Sequence, residues 1–129
     1  MSDPLGERRY TVAEATALLP YLAPTLVELR EKFEAAARIR EQMGRSAVGN
    51  GWSAQKEQET ATLARVEELL GRLNEWAVEL RDVSTGLVDF PAERSGEEVL
   101  LCWRLGEPEI AWWHTRADGF AGRRPISEL

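Results

Sequence analysis

Over roughly the first two thirds of the chain, apolar residues recur at alternating steps of three and four. Leu19, Leu22, Leu26, Leu29, Phe33 and Ala36 form one such seam, and its continuation reaches Arg40 and Met43. This spacing keeps one face of a helix apolar and predicts a long helix ending near Met43. Thr11 is a suitable N-cap, with Glu14 three residues on to return a bond to the Thr11 amide. Pro20 and Pro24 each lack the helical N–H, which predicts a short first turn and a break or kink near Leu19 to Pro24. Gly44 and the Gly-Asn-Gly at 49–51 end the helix. A second seam, Val66, Leu69, Leu73, Trp76, Leu80 and Val83, predicts a second helix from Trp52 or Ser53 to about Asp82. Folded into an antiparallel hairpin, the seams bring Leu29 near Leu69, Leu26 near Leu73 and Leu22 near Trp76. The root is apolar. The tip, around Arg40, Glu59 and Thr62, offers little to bury.

After Val83 the period changes. Ser-Thr-Gly at 84–86 reads as a turn. Leu87 to Phe90 reads as a short strand stopped by Pro91. Residues 92–96 form a loop, Val99 to Leu105 a second strand, 106–109 a turn, and Ile110 to Thr115 a third strand. Residues 117–125 are irregular, with Phe120 expected to anchor them to the body of the domain. The fold class is therefore α+β: a long antiparallel helical hairpin over 11–83, with a three-stranded antiparallel meander and C-terminal loop over 84–123 at its root.

Composition narrows the class. At 129 residues the chain has the size of one domain, 1–129. A single cysteine forms no internal disulfide, which fits a reducing, cytoplasmic setting. A net charge of −6, with basic residues interleaved with Glu, argues against a nucleic-acid partner. No run reads as long and apolar enough to span a bilayer, so no membrane partner is expected.

The stretch VDFPAERSGEEVLLCWRLGEPEIAWWH, followed by GFAGRRP, resembles a bacterial family catalogued as a domain of unknown function, number twenty-two-hundred-and-three. The opening YTVAEATALLPYL fits the same family. The resemblance implies a small prokaryotic protein and supplies no activity.

Candidate chemistry gathers between Gly86 and Arg123, which holds the only cysteine, the only histidine and three of the five tryptophans. Asp89, Cys102 and His114, with Glu107 or Asp118 as a fourth, are a donor set suited to zinc or another borderline divalent metal. No CxxC or HExxH accompanies them, and a buried apolar Cys102 beside a hydrogen-bonded His114 is the plainer alternative. Strand register separates the two. A turn of three or five residues after the second strand puts Cys102, Trp112 and His114 on one face. A turn of two or four puts Cys102 with Trp113, and Trp103 with Trp112 and His114. Gly-Glu-Pro-Glu is compatible with either. Cys102 as a nucleophile, with His114 as base and Asp89 orienting it, is the weakest reading, and no catalytic residue is assigned.

Trp112 and Trp113 must point to opposite faces of a strand. With Trp103 they form either a ligand or partner surface or a core covered by the C-terminal loop. Arg104, Arg116, Arg123 and Arg124, near a glycine-bearing loop that includes Asp118, could hold a carboxylate or phosphate. The alternative is pairing with Glu98, Glu107, Glu109 and Asp118.

Two functions follow. The first is a non-enzymatic interaction or scaffold module that self-associates. Val27, Ile39, Leu63, Leu70 and Ala77 widen the apolar stripe beyond what two helices need, and a dimer of hairpins would cover it. An unidentified protein partner fits the same surface. The second is a metal- or small-ligand-binding protein using Asp89, Cys102, Glu107 and His114. No cofactor is expected beyond a divalent metal such as zinc.

Overall fold

A computed structural model describes residues 8–45 and 52–129. The capping box forms: the Thr11 amide donates to Glu14 Oε1 at 2.9 Å, and the Glu14 amide to Thr11 Oγ1 at 3.1 Å. The first helix, α1, runs unbroken over Val12–Arg45 with both prolines inside it. The expected break is absent for a local reason. Pro20 and Pro24 are exposed, and so is Thr16. The carbonyls they leave without helical partners, at Thr16 and Pro20, therefore lie on the wet side. On the dry side Leu22, Leu26 and Leu29 are fully buried, and the helix continues past both prolines. By length and composition α1 also contains a window apolar enough to cross a membrane, at mean hydropathy 1.2, contrary to the sequence reading. In this fold its leucine seam packs into the protein core.

Helix α2 spans Trp52–Glu75, and the Gly-Asn-Gly connection before it lies outside the described residues. It stops about seven residues earlier than the seam predicts. Ala77 adopts a left-handed φ of 58°, its amide donates to Asn74 O at 3.0 Å, and the Val78 amide donates to Leu73 O at 3.0 Å. This is a Schellman ending, sealed by contact of the buried Val78 with Leu73. Glycine ordinarily occupies that position.

The chain then enters a strand that the periodicity assigns to helix. Strands β1 (Glu79–Asp82), β2 (Leu87–Arg94), β3 (Glu97–Arg104), β4 (Trp112–His114) and β5 (Arg124–Pro125) form one antiparallel sheet in chain order. Among the described residues there are five strands where three were expected. Pro91 does not stop β2, because β1 pairs only as far as Asp89. Beyond it this side of β2 is a local edge, where a missing N–H costs no ladder bond. The Pro91 carbonyl, on that side, accepts from the Tyr10 amide at 2.7 Å. Residues 92–96, expected as loop, are mostly strand. Ser95 and Gly96, both at positive φ, close a two-residue hairpin.

One face of the sheet packs on the hairpin root. Val88, Phe90, Val99, Leu101, Trp103 and Trp113 join Leu22, Leu26, Leu69 and Leu73 in a single core. Tyr10 ties the layers together, donating to Trp76 O at 2.6 Å and meeting Phe90 edge-on at 5.1 Å. The tip differs from expectation. Glu59 is 3% exposed, clasped by Arg40 Nε at 2.8 Å and Lys56 Nζ at 3.1 Å. Arg40 and then Lys56 hold its carboxyl below the ordinary range. The thin end of the seam is closed by a carboxylate between two cations.

Candidate metal centre

Register decides which side chains meet. Asp89 lies opposite Cys102, Cys102 opposite Trp112, and Leu100 opposite His114. Directly opposed residues share a face, and so do residues two apart. Asp89, Cys102, Trp112 and His114 therefore project together from the face away from the helices. Of the two registers compatible with Gly-Glu-Pro-Glu, this is the one that the metal reading requires.

Among the described residues, Asp89, Cys102 and His114 are the group able to hold a metal, with one donor atom from each lying within 4.8 Å of the others. All three are buried, at 2%, 1% and 3% exposure. Asp89 Oδ1 is 2.9 Å from His114 Nε2, and Oδ2 accepts from Arg81 Nε at 2.7 Å. His114 Nδ1 is 2.7 Å from the Thr115 carbonyl. A carbonyl can only accept, so Nδ1 carries a proton and Nε2 faces the cluster. There it shares a proton with Asp89 Oδ1 or, without that proton, offers a lone pair to a metal. A carbonyl behind the distal nitrogen and an arginine behind the carboxylate are the supports that orient metal ligands. Donors on a tetrahedral zinc, with bonds of about 2.0–2.3 Å, sit about 3.3–3.8 Å apart. To reach that spacing the widest donor separation, within 4.8 Å, would close by roughly 1 Å and the 2.9 Å Asp89–His114 pair would open slightly.

Burial pushes the Cys102 thiol up to about 11, and the nearby Asp89 carboxylate adds to the effect, with Arg123 opposing it. A protonated buried thiol is a poor nucleophile. Nor does any hydrogen bond join Cys102 to His114 among the described residues. The nucleophilic reading gains nothing from this geometry.

Glu107 does not join the cluster. Its side chain turns back on its own hairpin, where Oε1 accepts the Arg104 amide at 2.6 Å and Oε2 lies 3.9 Å from Arg123 Nη1. Its carbonyl accepts from Trp103 Nε1 at 3.1 Å. Asp118 is exposed, its amide bonded to Thr115 Oγ1 at 3.1 Å. Trp103 and Trp113 belong to the core. Trp112 alone of the three lies on the second face, half-buried, with the Arg123 guanidinium 4.9 Å above its ring and 4.2 Å from Phe120. Phe120 is 44% exposed and is less of an anchor than expected. Arg104 is exposed, and Arg124 lies 5.5 Å over Trp113. Arg116 makes the expected pair with Glu98 at 2.9 Å and a bidentate one with Glu79 at 3.0 and 2.9 Å.

Arg81 and Glu79 escape the sequence reading, because both lie in the span assigned to helix. Arg81 sits at the irregularity in the β1–β2 pairing, between Leu80 and Asp82. It bonds Glu79 at 2.6 Å as well as Asp89. A cavity of about 290 Å³ opens beside the cluster. Asp89, Cys102, His114 and Leu87 supply the sheet side, Gly119 and Phe120 the loop side, and Arg81 and Arg116 complete it. A larger depression of about 500 Å³ shares Arg116, but Glu75, Glu79 and Glu98 line it beside its arginines, and among the described residues it contains no metal-binding group.

No curated protein and no solved structure matches the chain. Residues 8–126 match the family model described as Uncharacterized conserved protein (DUF2203), and the chain belongs to that family.

Proposed function

We propose that this protein binds one divalent metal ion, zinc foremost, through Asp89 Oδ1, Cys102 Sγ and His114 Nε2. One observation carries the reading: a sulfur, a nitrogen and a carboxylate oxygen converge on a single buried face beside a cavity. Borderline-soft zinc favours this donor mixture. Binding displaces to solvent the Sγ proton and the proton shared between Nε2 and Asp89 Oδ1, and the new metal bonds replace the Nε2–Asp89 contact. Arg81 keeps its hold on Oδ2 throughout. A reducing compartment such as the cytoplasm would keep the thiol available. The test is metal analysis of purified protein together with calorimetric titration of zinc. One equivalent per chain is expected, and Cys102→Ser or His114→Ala should abolish it. A folded wild-type chain that takes up no zinc would rule the reading out.

A second reading has its own support. The hairpin tip lies beyond the sheet, and a groove of about 380 Å³ there is lined by Phe33, Ala36, Ala37 and Leu63. Phe33, Leu63 and Leu70 are each more than a third exposed. A second copy of the chain, pairing hairpin with hairpin, would cover them, consistent with an interaction module. Sedimentation at micromolar concentration should give a dimer mass that Leu63→Lys with Leu70→Lys reduces to a monomer. A monomer mass for the wild type removes the reading.

A further inference from the structure

We infer that the metal's fourth position takes a small monocarboxylate, held by Arg81; this inference rests on the metal reading above. Three protein ligands leave a tetrahedral ion one position short. The three donors all come from the sheet. The other residues lining the cavity are Leu87, Gly119, Phe120, Arg81 and Arg116. None of their side chains carries a metal-ligating atom, because a guanidinium is cationic and has no lone pair to give. The fourth ligand therefore comes from outside the chain.

Its chemistry follows from the two arginines. Arg116 uses Nε on Glu98 and both Nη atoms on Glu79. Arg81 uses Nε on Asp89 and Nη2 on Glu79, and among the described residues Nη1 has no hydrogen bond. Of the nitrogens on these two arginines, Arg81 Nη1 alone makes no hydrogen bond among the described residues, and it belongs to the side chain that already steadies a metal ligand. A carboxylate has two oxygens, one for the ion and one for Nη1.

Charge agrees. With the ion in place, the Cys102 thiolate and the Asp89 carboxylate cancel its two charges. Glu79 pairs with both Arg81 and Arg116, and Glu98 with Arg116 and Arg9. A monoanion thus meets no excess of like charge, whereas a phosphate dianion would bring a second negative charge into the same small cavity. Size and lining complete the description. About 290 Å³ lies at the lower bound of ordinary ligand pockets, roughly 300 Å³. Leu87 and Phe120 give it apolar walls. The ligand is a short carboxylic acid with a compact apolar body.

Cobalt(II)-loaded protein tests the inference. The thiolate-to-cobalt charge-transfer band reports that the ion is bound, and the d–d bands report its fourth ligand. Benzoate and propionate should change the d–d bands saturably at one equivalent, and inorganic phosphate should do so far more weakly. Arg81→Gln should weaken the carboxylates by about tenfold to a hundredfold while leaving the charge-transfer band. If Arg81→Gln loses the ion, the wild-type titrations decide alone. Cobalt bound with d–d bands indifferent to carboxylates, or phosphate binding as tightly as they do, overturns the inference and leaves the metal site standing. Failure to bind cobalt or zinc overturns both.

Discussion

The two faces of the sheet are both buried at their centres and differ in chemistry. Towards the helices stand Val88, Phe90, Leu101, Trp103 and Trp113, every one buried and apolar. Behind them, on the same strands, Asp89, Cys102 and His114 are buried just as deeply. Two long helices cover the first face, whereas the second is covered largely by the loop after β4. Hydrophobic burial explains the first face without remainder. It does not explain the second, since a buried carboxylate and imidazole cost free energy unless each is bonded. Here they are, to one another, to Arg81 and to a carbonyl. A cluster so fully supported, in a place where leucine would fill the space, marks the second face as the functional one.

The contrast can be broken by substitution. Phe90→Ala, on the core face, should cost about 3–5 kcal/mol, measured by the denaturant midpoint. A loss no larger than that of Cys102→Ala would collapse the distinction between the faces. His114→Ala should cost about 1–3 kcal/mol, because Asp89 Oδ1 loses its buried partner while Oδ2 keeps Arg81. Cys102→Ala should cost only about 1 kcal/mol and still remove zinc binding entirely. Stability and zinc uptake falling in step across these variants would instead make the cluster part of the core.

A pH experiment sharpens the same contrast at the border of the second face. Arg116 holds the Glu79 carboxyl below its ordinary value of 4.5. A lowered folded value means that the contribution is complete above the ordinary value and is lost as pH falls through the lowered one. Denaturant midpoints from pH 7 to 3 should therefore fall less steeply for Glu79→Gln than for the wild type. Parallel curves would show that the ion pair contributes nothing. Smallest of all, Leu63→Ala at the exposed tip should change monomer stability by no more than about 0.5 kcal/mol. A loss of several times that would show that the tip is buried in solution, as a dimer would bury it.

What the sequence disclosed was whatever depends on periodicity. The Thr11–Glu14 box, the leucine seams and the alternation around Cys102 are local patterns, and each maps directly onto a surface. What it hid depends on events that leave no periodic trace. Helix α2 ends on Ala77, a residue without a turn signal, in a conformation usually given to glycine. Leu80 and Val83 continue the helical spacing by coincidence, so β1 is invisible to it and Arg81 with it. Pro91 reads as a stop because a local edge on one side of β2, unpaired with β1, arises only after the sheet is assembled. Glu59 reads only as part of a tip with little to bury, because Arg40, which clasps it, comes from the other helix. The three metal-ligand candidates were legible as residue types, but their meeting was not. That required the register across a turn with two admissible lengths.

The sheet's chain-order arrangement carries a consequence for how the molecule forms. Every strand pairs only with its neighbours in sequence. Asp89 reaches His114 by closing 25 residues of chain, most of them already drawn in by the β2–β3 hairpin. Loop-closure entropy is therefore met in small successive steps, the circumstance that favours rapid folding in sheets that otherwise fold slowly. The cluster's geometry depends on local zippering and needs no distant segment to arrive last.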